Sequence, residues 1–293
     1  MRYRSTFSPG LFEGQTIIVT GGGSGIGRCT AHELASLGAR VAIIGRSLEK
    51  LDRVKAEIEE DGGRVSTHAC DIRDEALVRA TVEAVLGEHG RIDGLVNNAG
   101  GQYRAELKSI STKGFEAVVR NNLTGGFIFM REVYTLWMEA HGGSIVNIIA
   151  DIWNGWPNFA HSAAARGGMH TLTECAACEW AESGVRVNTV APGAIMTSGL
   201  DTYESKDEEY IKRVPTKVPM QRFGTEAEVS AAVTFLLSPA AAYVTGSCIR
   251  VDGGAPNARE IWWPLKTHDR SVPFNGFHRA VTPNVLRESV LKP

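Results

Sequence analysis

The run Thr20-Gly21-Gly22-Gly23-Ser24-Gly25-Ile26-Gly27 stands between a β-branched stretch and the start of a helical pattern. Glycine lets the backbone come close to a bound group, and the unpaired N–H groups that open a helix face its negative charge. In a strand–loop–helix setting this pattern points to a dinucleotide pyrophosphate, whereas the same glycines in an isolated turn would not. Sites that prefer NAD hold the ribose 2′-hydroxyl with an acidic residue about 20 positions farther on. Here the chain reads Gly45-Arg46-Ser47. A guanidinium pairs with a 2′-phosphate and no carboxylate opposes it, so NADP(H) is the preferred cofactor and NAD(H) the alternative. The competing explanation of Arg46 is an ordinary surface charge.

The elements that must hold this loop are legible as an alternation. β-Branched runs at 16–20, 40–44, 65–69, 94–96, 144–149, 186–191 and 247–251 are separated by helical patterns at 25–37, 48–61, 76–89, through 115–123, near 161–182 and at 226–237. Strands alternating with helices mean βαβ units and a parallel sheet. The predicted fold class is α/β, a Rossmann-type doubly wound parallel sheet of about seven strands flanked by helices. Residues 1–256 form one cofactor-binding and catalytic domain. Within it, 196–222 breaks the rhythm after a strand end, where ligand crevices open, and is expected to be a substrate lid. The tail 257–293, with Trp262 and Trp263, is expected to pack on the body or on a neighbouring subunit.

With 293 residues, 43% of them hydrophobic, and a formal charge of −2, the chain can bury a large core and offers no basic stripe to nucleic acid. No apolar run reaches the roughly 18 residues that cross a bilayer, and the first residues lack a signal peptide's apolar stretch, so a cytoplasmic protein without a membrane partner is expected. Five cysteines without framework spacing fit a reducing compartment. Cys175 and Cys178 lie in a helical pattern, which favours packing as small apolar residues over redox or zinc chemistry, and no metal site is expected. In the lid, Lys206, Lys212, Arg213 and Lys217 are offset by Asp201, Glu204, Asp207, Glu208 and Glu209, as on a solvated mixed face.

Asn97-Asn98-Ala99-Gly100, Asn122, and Pro192-Gly193-Ala194-Ile195 with Thr197 follow the glycine loop at a spacing that resembles the short-chain dehydrogenase/reductase family. The resemblance implies that Gly21, Ser24, Gly25, Ile26 and Gly27 cradle the cofactor and that Asp71 and Ile72 contact its adenine. It further implies that Asn98, Ala99 and Gly100 line the cofactor, that Pro192 and Gly193 bind it, and that Ile195 and Thr197 hold its carboxamide and phosphate side. By the same resemblance Asn122 holds a water through its helix backbone, and the protein is a homo-oligomer, a dimer or tetramer.

Departures from the family pattern bear on the chemistry. Members usually carry a serine after the fifth strand, then Tyr and Lys as Y-x-x-x-K. The serine position falls on Ile149 or Ala150, and the other two on Ser162 and Arg166. Ketone reduction suits a phenol, pKa ~10, as proton donor; a serine hydroxyl is far less acidic and shorter in reach. Arg166 can bridge nicotinamide-ribose hydroxyls but does not relay protons as lysine does. An enoyl thioester asks for less. Hydride reaches its β-carbon, charge gathers on the thioester oxygen where fixed donors stabilise it, and water can supply the α-proton.

Pro9-Gly10-Leu11, Gly100-Gly101-Gln102, Asn122-Leu123-Thr124-Gly125 and His161-Ser162 with Arg166 more narrowly resemble the peroxisomal trans-2-enoyl-CoA reductase and 2,4-dienoyl-CoA reductase subgroup. In related dienoyl-CoA reductases a serine also replaces the tyrosine. The final Leu291-Lys292-Pro293 is not a peroxisomal tripeptide of the S-K-L type, in keeping with the cytoplasmic expectation. The leading expectation is NADP(H)-dependent reduction of the C=C bond of a trans-2-enoyl-CoA or similar activated alkene. Asn122, Ser162 and Arg166 would be catalytic and the partner an acyl-CoA-like small molecule. One alternative is a dehydrogenase of an acyclic alcohol or aldehyde in which Tyr103 or Asp151 moves the proton; His161 is a further candidate relay. Another is a non-catalytic dinucleotide-binding scaffold or sensor.

Overall fold

Parallel strands buried on both faces need continuous apolar runs, and Thr16–Thr20, every residue of it buried, lies at the middle of the sheet. The computed structural model describes residues 2–203, 207–258 and 263–290. Its elements in chain order are β1 (Thr16–Thr20), α1 (Gly25–Ser36), β2 (Arg40–Gly45), α2 (Leu48–Glu60), β3 (Arg64–Ala69), α3 (Glu75–His89), β4 (Gly94–Asn97), α4 (Thr112–Val119), α5 (Gly125–Val133), α6 (Glu139–His141), β5 (Gly143–Ile148), α7 (Ala160–Glu179), β6 (Val185–Pro192), α8 (Glu208–Arg213), α9 (Glu226–Leu237), β7 (Cys248–Val251) and α10 (Asn284–Val290). All seven strands pair in parallel in the order β3-β2-β1-β4-β5-β6-β7. This is the doubly wound α/β fold that the alternation predicts. Glu204 and Lys206 of the expected lid, Trp262 of the tail and residues 291–293 lie outside the described residues.

Alternate strand residues face opposite layers. Ile17, Val19, Val41 and Ile43 pack with Leu34, Val54, Val229 and Leu236 of α1, α2 and α9. Ile18, Ala42, Ile44 and Leu95 pack with Val82, Phe129, Met169 and Ala176 of α3, α5 and α7. Local chemistry sets several helix ends. Ser47 and Asp74 cap α2 and α3 by accepting from Lys50 N and Leu77 N, Gly90 ends α3 in the left-handed conformation, and Thr225 and Glu228 form a capping box on α9. The expected helix through 115–123 is interrupted: a π-helical turn spans Arg120–Thr124 between α4 and α5, and another spans Tyr134–Met138. Among the described residues no helix is long and apolar enough to cross a membrane.

Cys175 and Cys178 are not packed as small apolar residues. α7 buries Ser162, Ala165, Arg166, Met169, Thr173, Ala176 and Ala177, which puts both cysteines on its exposed face as free thiols.

Past β7, the tail lies against its own chain. Thr225 Oγ1 donates to Phe274 O at 2.7 Å, and Phe274 N donates to Glu228 Oε1 at 3.1 Å. Phe277 is buried with Tyr3, Cys29 and Ala227, with the Arg28 guanidinium 4.9 Å from its ring centre. Arg279 pairs with Asp61 at 2.9 Å and Glu60 at 2.7 Å. α10 then packs on α8 and on the turn Ser198–Thr202, and Val285 N donates to Asp201 Oδ1 at 3.1 Å. Earlier in the tail, Phe277 and His278 pack on His32, whose Nε2 lies 3.2 Å from Glu57.

Burial lowers the His32 pKa from 6.5 to about 4, against the pull of Glu57 and Asp61. The unfolded imidazole therefore binds its proton at a higher pH than the folded one. Stability from this group is complete above pH ~6.5 and falls by about 3 kcal/mol as the pH drops to ~4. Urea unfolding across that window should show the decline, with a shallower slope for His32→Gln. Equal slopes would place the acid sensitivity elsewhere.

Candidate functional site

The loop between β1 and α1 admits close approach because side chains would obstruct it. Gly21 and Gly25 have φ of +68° and +56°, a region that favours glycine. A Cβ on Gly22 would lie 2.7 Å from the Ile43 side chain, and one on Gly27 would fall on Asn98 Nδ2 and the Gly21 carbonyl. α1 opens after Ser24 with no side-chain cap and no acidic residue in its first turn. A helix N-terminus left uncapped beside a side-chain-free loop fits a dinucleotide pyrophosphate. Ile26 packs on the α1–α9 side of the core.

Thr20, whose role the sequence pattern alone does not reveal, joins this loop to the end of β4. Its Oγ1 donates to Val96 O at 3.3 Å and accepts from Asn98 N and Ala99 N, each at 3.0 Å. Asn98 Nδ2 returns a bond to Thr20 O at 3.0 Å. Both loops are thereby fixed at the carboxyl ends of adjacent strands, where the chain reverses its order across the sheet.

Asn122, Ser162 and Arg166, far apart in sequence, meet in one hydrogen-bonded chain. Asn122 lies in the π-helical turn, and its amide brackets the Gly101 backbone: Gly101 N donates to Oδ1 at 2.9 Å and Nδ2 donates to Gly101 O at 3.0 Å. Nδ2 also reaches Ser162 Oγ at 3.4 Å. One turn on in α7, Arg166 donates to Ile148 O at 2.6 Å and to Asn122 Oδ1 at 3.5 Å. Arg166 is buried and its Nε has no hydrogen-bond partner. Desolvation lowers the guanidinium to about 10, so it remains a cation at neutral pH. The guanidinium lies against Gly100, and its unpartnered buried Nε–H is the kind of donor a cofactor ribose hydroxyl would satisfy.

Two polar side chains complete the chain: Gln102, which the sequence marks only as part of the Gly100-Gly101-Gln102 motif and without a role, and Tyr203, which it does not mark. Gln102 Oε1 accepts from Ser162 Oγ at 2.7 Å, and Gln102 Nε2 donates to the Tyr203 hydroxyl at 3.4 Å. Burial pushes the Tyr203 phenol up. The same edge is fastened by Arg104, whose Nη1 meets the buried Asp207 carboxylate at 2.5 Å. Only the loop after β4 brought against a segment of the expected lid produces this arrangement, so local patterns gave no signal for these contacts.

The other candidates are distributed around this centre. Pro192 ends β6, Gly193 N donates to Val251 O at 2.9 Å, Ile195 is buried and bridges to Gly224, and Thr197 lies near Gly25. Ile149 and Ala150 are buried and apolar. Arg46 is exposed at the end of β2. Asp71 is held by Arg73, whose hydrogen bonds draw the carboxyl down to about 2. The Ile72 side chain is committed to the core beside Gly125. Tyr103, proposed as a substitute phenol, sets its ring edge-on to His161 at 4.4 Å with its hydroxyl over Gly114, while its neighbour Gln102 is the side chain that reaches Ser162. Asp151 faces Asp252; burial, then that charge, raises its pKa.

The chain is similar to several known proteins. A family model described as enoyl-(acyl carrier protein) reductase matches residues 21–256. The (3E)-enoyl-CoA-producing peroxisomal 2,4-dienoyl-CoA reductase of Danio rerio is 37% identical over 258 residues, 87% of this chain and 85% of its own. The citronellol catabolism dehydrogenase AtuB of Pseudomonas aeruginosa is 57% identical, with a TM-score of 0.78 over 87% of this chain and 100% of its own. An actinorhodin polyketide ketoreductase solved with NADPH is 31% identical, with a TM-score of 0.79 over 86% of this chain and 100% of its own.

A methyl group on Gly100 would displace the Arg166 guanidinium and fall 2.9 Å from Asn122 Oδ1, whereas one on Gly101 would lie 3.4 Å from Asn121 Nδ2. If a nicotinamide dinucleotide binds here, Gly100→Ala should weaken its binding by about tenfold or more, as for one lost charged hydrogen bond, and Gly101→Ala far less. Fluorescence titration of the two variants compares them directly.

Proposed function

This chain belongs to the short-chain dehydrogenase/reductase family, whose members bind NAD(P), and on that premise we propose that it reduces the C=C bond of a trans-2-enoyl-CoA or similar activated alkene with NADPH. The observation that carries the reading is the composition of the polar chain. Ser162 and Arg166 occupy the positions where the family places a phenol and an ammonium, and Asn122 joins them. Such a set is poorly suited to protonating an alkoxide, whereas fixed donors that it positions can stabilise an oxygen that gathers charge. The 2,4-dienoyl-CoA reductase similarity supports the same reading.

In this reading the loop from Gly21 to Gly27 holds the pyrophosphate, and Asn98 to Gly100 with Arg166 hold the nicotinamide ribose. Arg46 meets the 2′-phosphate, Asp71 and Ile72 border the adenine, and Pro192, Gly193, Ile195 and Thr197 flank the carboxamide and phosphates. When bound, the cofactor supplies a hydride to the substrate. The protein's own residues fix the thioester oxygen, keep bulk water from the reacting carbons and admit a proton to the α-carbon. Residues 196–222 act as the lid, supported by the Arg104–Asp207 pair and the Gln102–Tyr203 contact. We assign the working form to a homo-oligomer.

A second reading, oxidation of an acyclic alcohol or reduction of an aldehyde, is favoured by the 57% identity to the citronellol catabolism dehydrogenase. Anaerobic NADPH oxidation with trans-2-decenoyl-CoA and, separately, citronellal, followed by mass spectrometry, separates the two. We expect the saturated thioester with its carbonyl kept; turnover of the aldehyde alone establishes the second reading. In the same assay Arg46→Ala should cut the NADPH-over-NADH preference by about tenfold or more, the worth of a charged hydrogen bond. An unchanged preference means that Arg46 does not read the 2′-phosphate.

A further inference from the structure

Ser162 has a single hydroxyl proton, and its destination decides what the residue can do. That proton goes to Gln102 Oε1 at 2.7 Å, while the Ser162 oxygen receives Asn122 Nδ2 at 3.4 Å. Ser162 is also completely buried. A hydroxyl whose proton is already bound to a neighbouring amide is not free to donate to a substrate oxygen.

Gln102 is placed differently. It is exposed at the mouth of the site, and its side chain reaches inward to Ser162. A primary amide has an acceptor end and a donor end. With Oε1 bound to Ser162, the NH2 end is directed away from it, toward the lid, where one hydrogen meets the Tyr203 hydroxyl at 3.4 Å, a long contact. Displacing so long a bond by a substrate oxygen costs little, and the second amide hydrogen adds to the donor capacity there.

We propose that Gln102 Nε2 is the donor that holds the substrate's carbonyl oxygen, and that Ser162 is a positioning residue fixing which end of the amide faces the substrate. The assignment rests on the reading that the substrate is a polarised carbonyl derivative, and it suits a thioester in particular. As hydride adds to the β-carbon, the π electrons move onto the thioester oxygen. Gln102 stabilises that oxygen through hydrogen bonds and keeps both its protons. The α-carbon then takes a proton from water, the alkene is reduced and NADPH is oxidised. Asn122 acts behind Ser162, holding its oxygen and the Gly101 backbone that carries Gln102.

The test compares Gln102→Ala, Gln102→Glu, Ser162→Ala and Ser162→Thr on trans-2-decenoyl-CoA, with NADPH affinity and thermal unfolding as controls. Glutamate retains an acceptor for Ser162 but has no N–H to offer. Both Gln102 variants should lose about 100- to 1000-fold in kcat, the cost of one oxyanion donor, with NADPH affinity kept. Ser162→Ala should lose about tenfold, and Ser162→Thr, which still has a hydroxyl to orient the amide, should recover most of it. A larger loss in Ser162→Ala than in Gln102→Ala would overturn the assignment and make the hydroxyl the donor. If wild type reduces only the aldehyde, the C=C reading fails; the same four variants on that aldehyde then decide the donor by the same order of losses.

Discussion

The hydroxyl of Thr20 and the parallel pairing of β1 with β4 hold the site's two halves in register. β1 and β4 are neighbours although the chain visits β2 and β3 between them, so the sheet order turns outward on both sides of this pair. A crevice follows at the carboxyl ends, and the loops leaving both strands must border it. Thr20 Oγ1, with one donated and two accepted bonds, removes the freedom those loops would otherwise have. The glycine loop and the Asn98–Gly100 turn thus present backbone to the same space.

From that join a polar chain runs inward and then back out, through Ile148 O, Arg166, Asn122, Ser162, Gln102 and Tyr203. Each buried member is held by its neighbour, which is how an apolar interior tolerates an arginine and a serine side by side. The π-helical turn at Arg120–Thr124 serves this arrangement, because an extra residue in the turn shifts Asn122 relative to a regular helix and lets its amide bracket Gly101. Amides, a buried serine hydroxyl and a guanidinium stabilise charge well and move protons poorly, and burial makes the chain's one phenol, Tyr203, less acidic than usual. That asymmetry separates enolate formation from alkoxide protonation as the chemistry it suits.

The tail adds a second set of constraints beyond residue 256, where the family match stops. Phe274, Phe277 and Arg279 attach it to α9, α1 and α2, and α10 then reaches α8. Among the described residues, the tail thus links α8 to α1, α2 and α9.

Several features are determined by the sequence because their causes are local. Glycines with positive φ, a β-branched run before them and helical spacing after them specify the dinucleotide loop and the alternating fold within short windows. The absence of tyrosine and lysine at the positions of Ser162 and Arg166 is likewise a statement about residue identity, legible without coordinates. The direction of hydrogen bonding at Ser162, the role of Thr20, the exposed face of Cys175 and Cys178 and the burial of Ile72 were not legible. Each depends on which of several possible neighbours an element meets, and on helix phase and strand register accumulated over the whole chain. Gln102 and Tyr203 are separated by one hundred and one positions, and no spacing rule joins them. Packing of the segment around Tyr203 against the loop after β4 decides that contact, and with it which polar atom of Gln102 is turned outward.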